Sequence, residues 1–273
     1  MRLPQPLATI VLCAGLLLVS AAAQAHEFYL QPDSYTAKAG EPLAVRHHVG
    51  TRFNGNELPW ITNWNVRSEM WQGGAKTDVS GTDGDRPTLT VTPQADGLLT
   101  LAHQSNHSTY APATWEKFET YLRKEGLGDI VALHEARDLG DRPPKEAYSR
   151  FAKSLVAIGD GAGSDDPVGL KIELVALENP YTFPVDQPLP VQVLFDGKPL
   201  AGVTVKVFDG VDTEAVDHII TDANGQVMIP PGGPGPYLLN AIHMIEPVSQ
   251  TKIAQAADWE SFWASLTFQR GLE

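Results

Sequence analysis

Short runs of alternating apolar and polar residues recur in the first part of the chain, with glycine- and aspartate-rich turns between them. Alternation at every second residue is typical of a strand that buries one face. In one such run, His47 shares a face with Leu43 and Val45, whereas His48 lies on the opposite face. The number and spacing of the runs favour a β-sandwich. The predicted strands are residues 28–32, 43–50, 64–71, 88–92 and 98–103.

The spacing changes at Trp115, after which apolar residues recur every three or four positions. Trp115, Phe118 and Leu122 would form one helical stripe, and Gly126 can end that helix. A second stripe predicts a helix over residues 145–158. Stripes of this kind are typical of core packing rather than of cofactor contact, so we expect a helical hairpin packed against the first sheet.

A segment rich in glycine and aspartate follows at residues 159–168 and predicts a linker, because its composition cannot build a core. The pattern then becomes β throughout, with predicted strands at 171–177, 189–195, 203–208, 218–221, 227–229, 237–244 and 262–268. The expected fold class is mainly β, with two β-sandwich domains. The first, residues 26–158, carries the helical hairpin, and the second, residues 169–273, is an immunoglobulin-like or prealbumin-like sandwich.

Residues 1–25 have the composition of a secretory signal peptide. They hold one charge, Arg2, and an apolar run that is shorter than the roughly 20 residues that a membrane span needs. The small residues Ala23 and Ala25 form a pattern that signal peptidase cleaves. No later segment could cross a membrane, so we expect a periplasmic protein without membrane insertion after signal removal.

The lone cysteine, Cys13, lies in the predicted signal peptide, so the mature protein would have no disulfide, thiolate nucleophile or cysteine-rich zinc site. The formal net charge of −13 becomes −14 once Arg2 is removed. Such an acidic chain argues against a nucleic-acid partner, because phosphate binding needs a basic surface. Acidity of this kind is compatible with attracting cations.

Cleavage after Ala25 would make His26 the first residue, with an α-amine and an imidazole that together chelate a borderline divalent metal such as Cu, Ni, Co or Zn. We predict His48, His103 and His243 as further metal ligands. His48 is expected to reach solvent, His103 to point inward near a strand end, and His243 comes from the second domain. No closely spaced histidine pair of the His-x-His kind is present, so distant strands would assemble the site.

The other histidines carry less specific expectations. His47 is an alternative to His48 as the ligand from its strand, and His107 lies in the loop beyond the strand of His103. His134 and His218 each stand beside an acidic residue, and we expect both on the surface.

Two resemblances refine this picture. The segments Gly197–Val205 and Thr221–Val227 resemble the carboxypeptidase-regulatory type of prealbumin-like β-sandwich, through turn residues that recur in that fold. Four further segments occur in an order that resembles an exported bacterial family of unknown function, often assigned as the periplasmic component of a cobalt/nickel uptake system. They are His26–Leu30, Tyr121–Leu127, Tyr148–Lys153 and Trp259–Phe268.

The family resemblance implies nickel or cobalt as the metal, a membrane metal transporter as a partner, and functional roles for His26 and His243. No serine-nucleophile elbow, zincin helix or phosphate-binding loop is present, and we do not predict an enzyme. A copper oxygenase built on an N-terminal histidine would need a flat substrate-binding face. Scattered tryptophans are the only residues in the sequence that suggest such a face. The leading prediction is a periplasmic metal-binding protein serving an uptake system. The alternative is a non-catalytic interaction module that binds a protein or glycan without metal.

Overall fold

The structure, a computed structural model, describes residues 26–210 and 216–271, so the predicted signal peptide at residues 1–25 lies outside the described residues. The chain is mainly β, as predicted. The strands of the first part are β1 (Glu27–Pro32), β2 (Thr36–Ala37), β3 (Leu43–Thr51), β4 (Asn54–Leu58), β5 (Asn65–Gln72), β6 (Ala75–Asp78), β7 (Leu89–Val91), β8 (Gly97–Ser105), β9 (Ser108–Tyr110) and β10 (Glu146–Ile158).

The later strands follow the predicted positions closely, and each pairs with a neighbour. They are β11 (Ile172–Ala176), β12 (Leu189–Phe195), β13 (Lys198–Pro199), β14 (Thr204–Asp209), β15 (Val216–Ile220), β16 (Gln226–Ile229), β17 (Gly235–Ile245) and β18 (Trp259–Arg270). The helices are α1 (Trp115–Lys124), α2 (Asp129–Ala136) and α3 (Lys252–Gln255), with a 3-10 turn at Thr62–Trp64.

Within the described residues the strands form three sheets. The central sheet has the order β15-β14-β17-β18-β10-β8-β5-β6, with β2 and β9 also paired to β10. A four-stranded upper sheet contains β1, β3, β4 and β7, and a four-stranded lower sheet contains β11, β12, β13 and β16. Strand β10 pairs in parallel with β18 and antiparallel with β8, so it lies in the middle of the central sheet.

The upper and lower sheets cover opposite faces of the central sheet. Leu99 and Val156 of the central sheet belong to the core beneath the upper sheet, whereas Leu98 and Leu155 belong to the core above the lower sheet. Neighbouring residues of a strand point to opposite faces, which accounts for this division. The helices α1 and α2 pack on Ile242 and neighbouring aromatic residues, on the same face as the upper sheet.

The predicted helix over residues 145–158 is wrong, because this segment forms the central strand β10. Its residues are buried on both faces of the sheet, so it has no exposed face and no alternation of apolar and polar residues. Of the predicted helical hairpin only the first helix, α1, is present; its partner in the structure is α2, which was not predicted. Thr114 caps the start of α1 by accepting a hydrogen bond from the amide of Lys117, and Gly126 follows the helix with a positive φ of 77°.

The predicted domain boundary at residues 159–168 stays a prediction, but strands on either side of it share one sheet and one core. The segment also contacts its surroundings: Asp165 is buried beside Lys153, and the carbonyl of Ala162 accepts a hydrogen bond from the amide of Leu98.

Asp196 and Gly197 form the predicted hairpin turn between β12 and β13, and both have a positive φ. Among the described residues, no helix is long and apolar enough to cross a membrane.

Candidate functional site

A cavity of about 800 Å³ opens between the upper sheet and the end of the central sheet. We call it the histidine cleft, because three of its polar residues are histidines. Its basic and imidazole side chains are His47, His103, His107, Arg150 and Lys252, and its aromatic side chains are Phe28, Trp64 and Tyr148. None of the described residues that line it is acidic. An aromatic cavity of this size with a few convergent polar groups is typical of a small-ligand site.

The two buried histidines of the cleft come from different sheets. His47 lies in β3, where it pairs with Leu30 and Leu58, and His103 lies in β8 opposite Ser68. Both strands direct alternate residues into the core between the sheets, which brings the two imidazole centroids to 4.6 Å from each other in an edge-on arrangement. The ring of Phe28 packs against both, at 5.3 Å from His47 and 5.0 Å from His103.

These two imidazoles are held neutral. Burial, with a smaller contribution from the neighbouring His48, lowers the pKa of His47 to about 3. Burial also lowers the pKa of His103 well below its usual value, and His47 and Arg150 add to that effect. The Nδ1 atom of His103 is 3.2 Å from Ser68 Oγ, but His47 Nε2 is buried and has no hydrogen-bond partner among the described residues. A neutral nitrogen without a partner is the feature that a metal or a hydrogen-bonding ligand would satisfy.

Arg150 adds a positive charge to the cleft. Its guanidinium carbon lies 5.7 Å from the ring centroid of Phe28 and 5.1 Å from that of Tyr148, while its backbone amide donates to Ser105 Oγ. Its Nε is buried without a hydrogen-bond partner, and no carboxylate of the described residues forms an ion pair with it. Burial lowers the pKa of Arg150, yet a guanidinium remains charged in proteins. The cleft therefore holds a cation without a counter-charge from the described chain.

One side of the cleft is formed by the segment around α3, which carries Lys252. Glu260 anchors this segment by accepting hydrogen bonds from the amides of Val248 and Ser249, at 2.8 and 3.0 Å. The same carboxylate contacts His107 Nε2 at 2.9 Å. Lys252 itself is exposed, so its charge lies at the solvent side of the cleft.

Of the four predicted metal ligands, only His103 lines the histidine cleft. His26 lies in an adjacent depression, with Nδ1 at 3.3 Å from Thr51 Oγ1. His48 faces away from His47, stacks on Tyr29 at 5.4 Å and contacts the carbonyl of Gly55. The opposite faces of β3 account for this difference, so His47 rather than His48 is the partner of His103.

His243 is on the opposite face of the central sheet from His103. It lies in β17, where Ala241 packs towards the lower sheet, and its ring contacts Phe195 at 4.7 Å. Two further strands, β18 and β10, separate β17 from β8. Across the described residues, no group of three or more histidine, cysteine, aspartate or glutamate side chains is placed to hold one metal ion. The predicted four-histidine set therefore does not come together.

Two other histidine predictions have opposite outcomes. His134 is buried, not on the surface: it stacks on Trp115 at 4.3 Å and its Nδ1 accepts a hydrogen bond from Trp259 Nε1. His218 is exposed, as predicted. The sequence analysis assigned no role to Arg150, whose position depends on the pairing of β10 with β18 that the helix prediction missed. His47 did carry a signal, because its strand places it on the buried face of Leu43 and Val45.

Fold and site together define a mainly-β protein with a cation-lined cavity between two sheets. A protein-family model described as "Domain of unknown function (DUF4198)" matches residues 23–245, and the chain belongs to this family. The match agrees with the predicted resemblance to a family of unknown function. It does not bear on nickel or cobalt uptake. A search of curated proteins found no match.

Solved structures with similarity to this chain include the D0-D1 domain of intimin, at 15% identity and a TM-score of 0.24, covering 89% of this chain and 97% of that chain. Another is the tetra-tandem repeat in the extending region of a large adhesion protein, at 12% identity and a TM-score of 0.22. This second match covers 89% of the present chain but 49% of the adhesion-protein chain, about half of its length. TM-scores this low do not indicate a shared function.

Proposed function

We propose that this protein is an exported, non-enzymatic binding protein for a transition-metal ion, with His47 and His103 as its protein ligands. The observation that carries the proposal is the buried Nε2 of His47, which has no partner and lies in an imidazole pair with centroids 4.6 Å apart. Two neutral imidazoles suit nickel, cobalt, copper and zinc. Delivery of nickel or cobalt to a membrane uptake system is the role that the sequence resemblance suggests.

The chemistry of the two histidines fits a metal. An imidazole must be unprotonated to bind an ion, and a pKa of about 3 keeps His47 in that form throughout the physiological range. The contact between His103 Nδ1 and Ser68 leaves the other nitrogen of that ring for a ligand, and such outer contacts commonly orient metal-binding histidines. The remaining volume of the cleft can hold further ligands of the ion.

Calorimetric titration and thermal unfolding with Ni²⁺, Co²⁺, Cu²⁺ and Zn²⁺ test the proposal. A ligand that binds only the folded state raises the unfolding temperature, so micromolar metal should stabilise the wild type. His47→Ala should weaken binding at least tenfold. His48→Ala, which changes the neighbouring residue on the opposite face, is the matched control and should retain the wild-type affinity. Loss of binding in the His48 variant but not in the His47 variant would contradict the assignment.

The interaction-module alternative rests on exposed apolar residues beside the cleft. Trp64 is 53% exposed and Val66 is 52% exposed, while Ile253 borders the cleft from the α3 side with 38% exposure. An apolar rim of this kind could contact a protein or glycan without any metal. Absence of any thermal shift or calorimetric signal with all four metals would favour this alternative over the metal proposal.

A further inference from the structure

The histidine cleft supplies only part of the ligand set of a metal ion. His47 and His103 offer two nitrogen donors, and no group of three or more metal-binding side chains occurs among the described residues. Zinc commonly takes four ligands in proteins, and nickel and copper sites also have more than two. The missing ligands therefore have to come from outside the described chain, as water or as part of a bound molecule.

The charge of the cleft points to an anion among those missing ligands. Arg150 and Lys252 line the cavity, and none of its described lining residues is acidic, although the whole chain has a net charge of −13. A bare divalent cation would be repelled by Arg150, which lines the same cavity as His47 and His103. An ion that arrives with a carboxylate ligand would instead bring the counter-charge that Arg150 lacks.

Arg150 differs from the two buried lysines described in this chain. Lys153 and Lys206 each contact two carboxylates, whereas the guanidinium of Arg150 lies between Phe28 and Tyr148 with its Nε unpaired. The fully buried Arg270 also forms no ion pair with a carboxylate of the described residues, but it donates hydrogen bonds to the carbonyls of Pro184, Gln187 and Pro230. A guanidinium presents a planar set of donors that matches a carboxylate through two parallel hydrogen bonds. The aromatic rings beside it and a volume of about 800 Å³ leave room for a small organic molecule.

We propose that the histidine cleft binds the metal as a complex with a small organic carboxylate chelator. The chelator's carboxylate pairs with Arg150, and the ion uses His47 and His103 as its protein ligands. This inference rests on the proposed function and adds to it the chemical form in which the ion is captured. It assigns to Arg150 the role of anion anchor, which accounts for the absence of a carboxylate partner for Arg150 among the described residues.

Calorimetry with three probes tests this inference: nickel chloride alone, citrate alone, and preformed nickel citrate. The wild type should bind nickel citrate at least tenfold more tightly than nickel chloride, and citrate alone weakly. Arg150→Gln should weaken the binding of nickel citrate at least tenfold and should not weaken the binding of nickel chloride, because the variant lacks the charge that repels the bare ion. Arg150→Lys keeps the positive charge but lacks the paired donors of a guanidinium. Its affinity for nickel citrate should lie between that of the wild type and that of Arg150→Gln. Thermal unfolding of each variant without ligand verifies that it is folded.

The outcomes separate the two proposals. Equal affinity for nickel chloride and nickel citrate, or an Arg150→Gln variant that keeps the preference for the complex, would overturn the chelator inference and leave the metal function standing. Binding of citrate alone with no effect of nickel would overturn the metal function and the complex with it. His47→Ala should lose the binding of both nickel chloride and nickel citrate. Arg46→Gln, which changes a partly exposed arginine paired with Asp33, is the matched control and should leave all three affinities unchanged.

Discussion

Two buried polar regions of this protein differ in how completely they satisfy their own charges. In the first, which we call the lysine triad, Lys153 Nζ contacts Asp165 at 2.7 Å and Glu173 at 3.0 Å. The carboxylates in turn accept backbone hydrogen bonds, from Ala176 to Asp165 and from Val168 to Glu173. Every charge of the triad thus has a partner within the chain.

The histidine cleft is the opposite case. Arg150 has no carboxylate partner and His47 Nε2 has no hydrogen bond among the described residues. Buried polar groups are rarely left unpaired, because the lost hydration is not recovered. The comparison teaches that the polar groups of the triad satisfy one another within the chain, whereas in the histidine cleft an unpaired imidazole nitrogen and an arginine without a counter-charge face the same cavity. The predictions for Lys153 and His47 test whether the two regions differ in this way.

The largest effect is expected in the triad. Lys153→Met should lower the free energy of unfolding by about 3–5 kcal/mol, because it leaves two buried carboxylates without their counter-charge. The matched control is Lys171→Met, which removes a partly exposed pair with Asp196 and should cost about 1 kcal/mol or less. Urea unfolding of both variants measures the difference. Equal losses would mean that the triad does not depend on its buried charge.

Glu146 should give the next largest effect, seen as a dependence of stability on pH. This carboxyl is buried and contacts Ser261 and Tyr121, without a cation beside it, and burial raises its pKa to about 7 from 4.5. The folded state binds the proton more tightly than the unfolded state. The contribution of Glu146 is therefore favourable at low pH and is lost as the pH rises from about 4.5 to about 7, by roughly 3 kcal/mol in total.

Glu146→Gln tests this contribution by removing the titrating group at nearly constant shape. Unfolding measured between pH 4.5 and 8 should show a smaller fall in stability for this variant than for the wild type. Glu119→Gln, which changes a carboxylate in a surface pair with Arg123, should keep the wild-type slope. Identical slopes in wild type and the Glu146 variant would show that its carboxyl does not titrate in this range.

A smaller effect is expected from His47→Phe. Because Nε2 of His47 makes no hydrogen bond, replacing the imidazole by a phenyl ring should change the free energy of unfolding by about 1 kcal/mol or less. Metal binding should be lost in the same variant. Thermal unfolding and nickel titration on one preparation measure both properties. A stability loss as large as that of Lys153→Met would place His47 among the structural residues and remove the contrast between the two regions.

The smallest effect is expected at His26. Its imidazole lies beside Thr51 and outside the histidine cleft, so His26→Ala should change nickel affinity by less than twofold. Protein with one extra residue ahead of His26 should bind as well as protein that begins there. A tenfold loss in either case would move the metal site to the amino terminus, where the sequence analysis put it.

The fold was predictable wherever a strand has one buried and one exposed face. Alternation located β3 and β12, in which buried residues alternate with partly exposed ones along most of the strand. It failed at β10, where both faces are buried and the apolar residues happen to recur at helical spacing. Only the partners of that strand, β8 and β18, decide its conformation, and a single-sequence pattern does not contain them.

The candidate site was predictable in part for the same reason. His103 was found because it is in phase with buried leucines of β8, and His47 carries the same kind of signal in β3. Preference for a solvent-accessible ligand selected His48 instead, which the strand directs away from the cleft. Arg150 had no local signal, because its lack of a counter-charge is a property of the assembled sheets rather than of its neighbours in sequence.

The position of β18 has a consequence for how the protein folds. Thr267 of β18 lies 114 residues beyond Lys153 of the neighbouring strand β10, so the centre of the largest sheet closes only after a long stretch of chain has been made. Contacts of such long range slow folding. Until β18 has been synthesised, one edge of β10 stays unpaired, so an incomplete chain exposes a sheet edge that can pair with another chain. Refolding should then proceed as one slow cooperative step rather than as two independent ones.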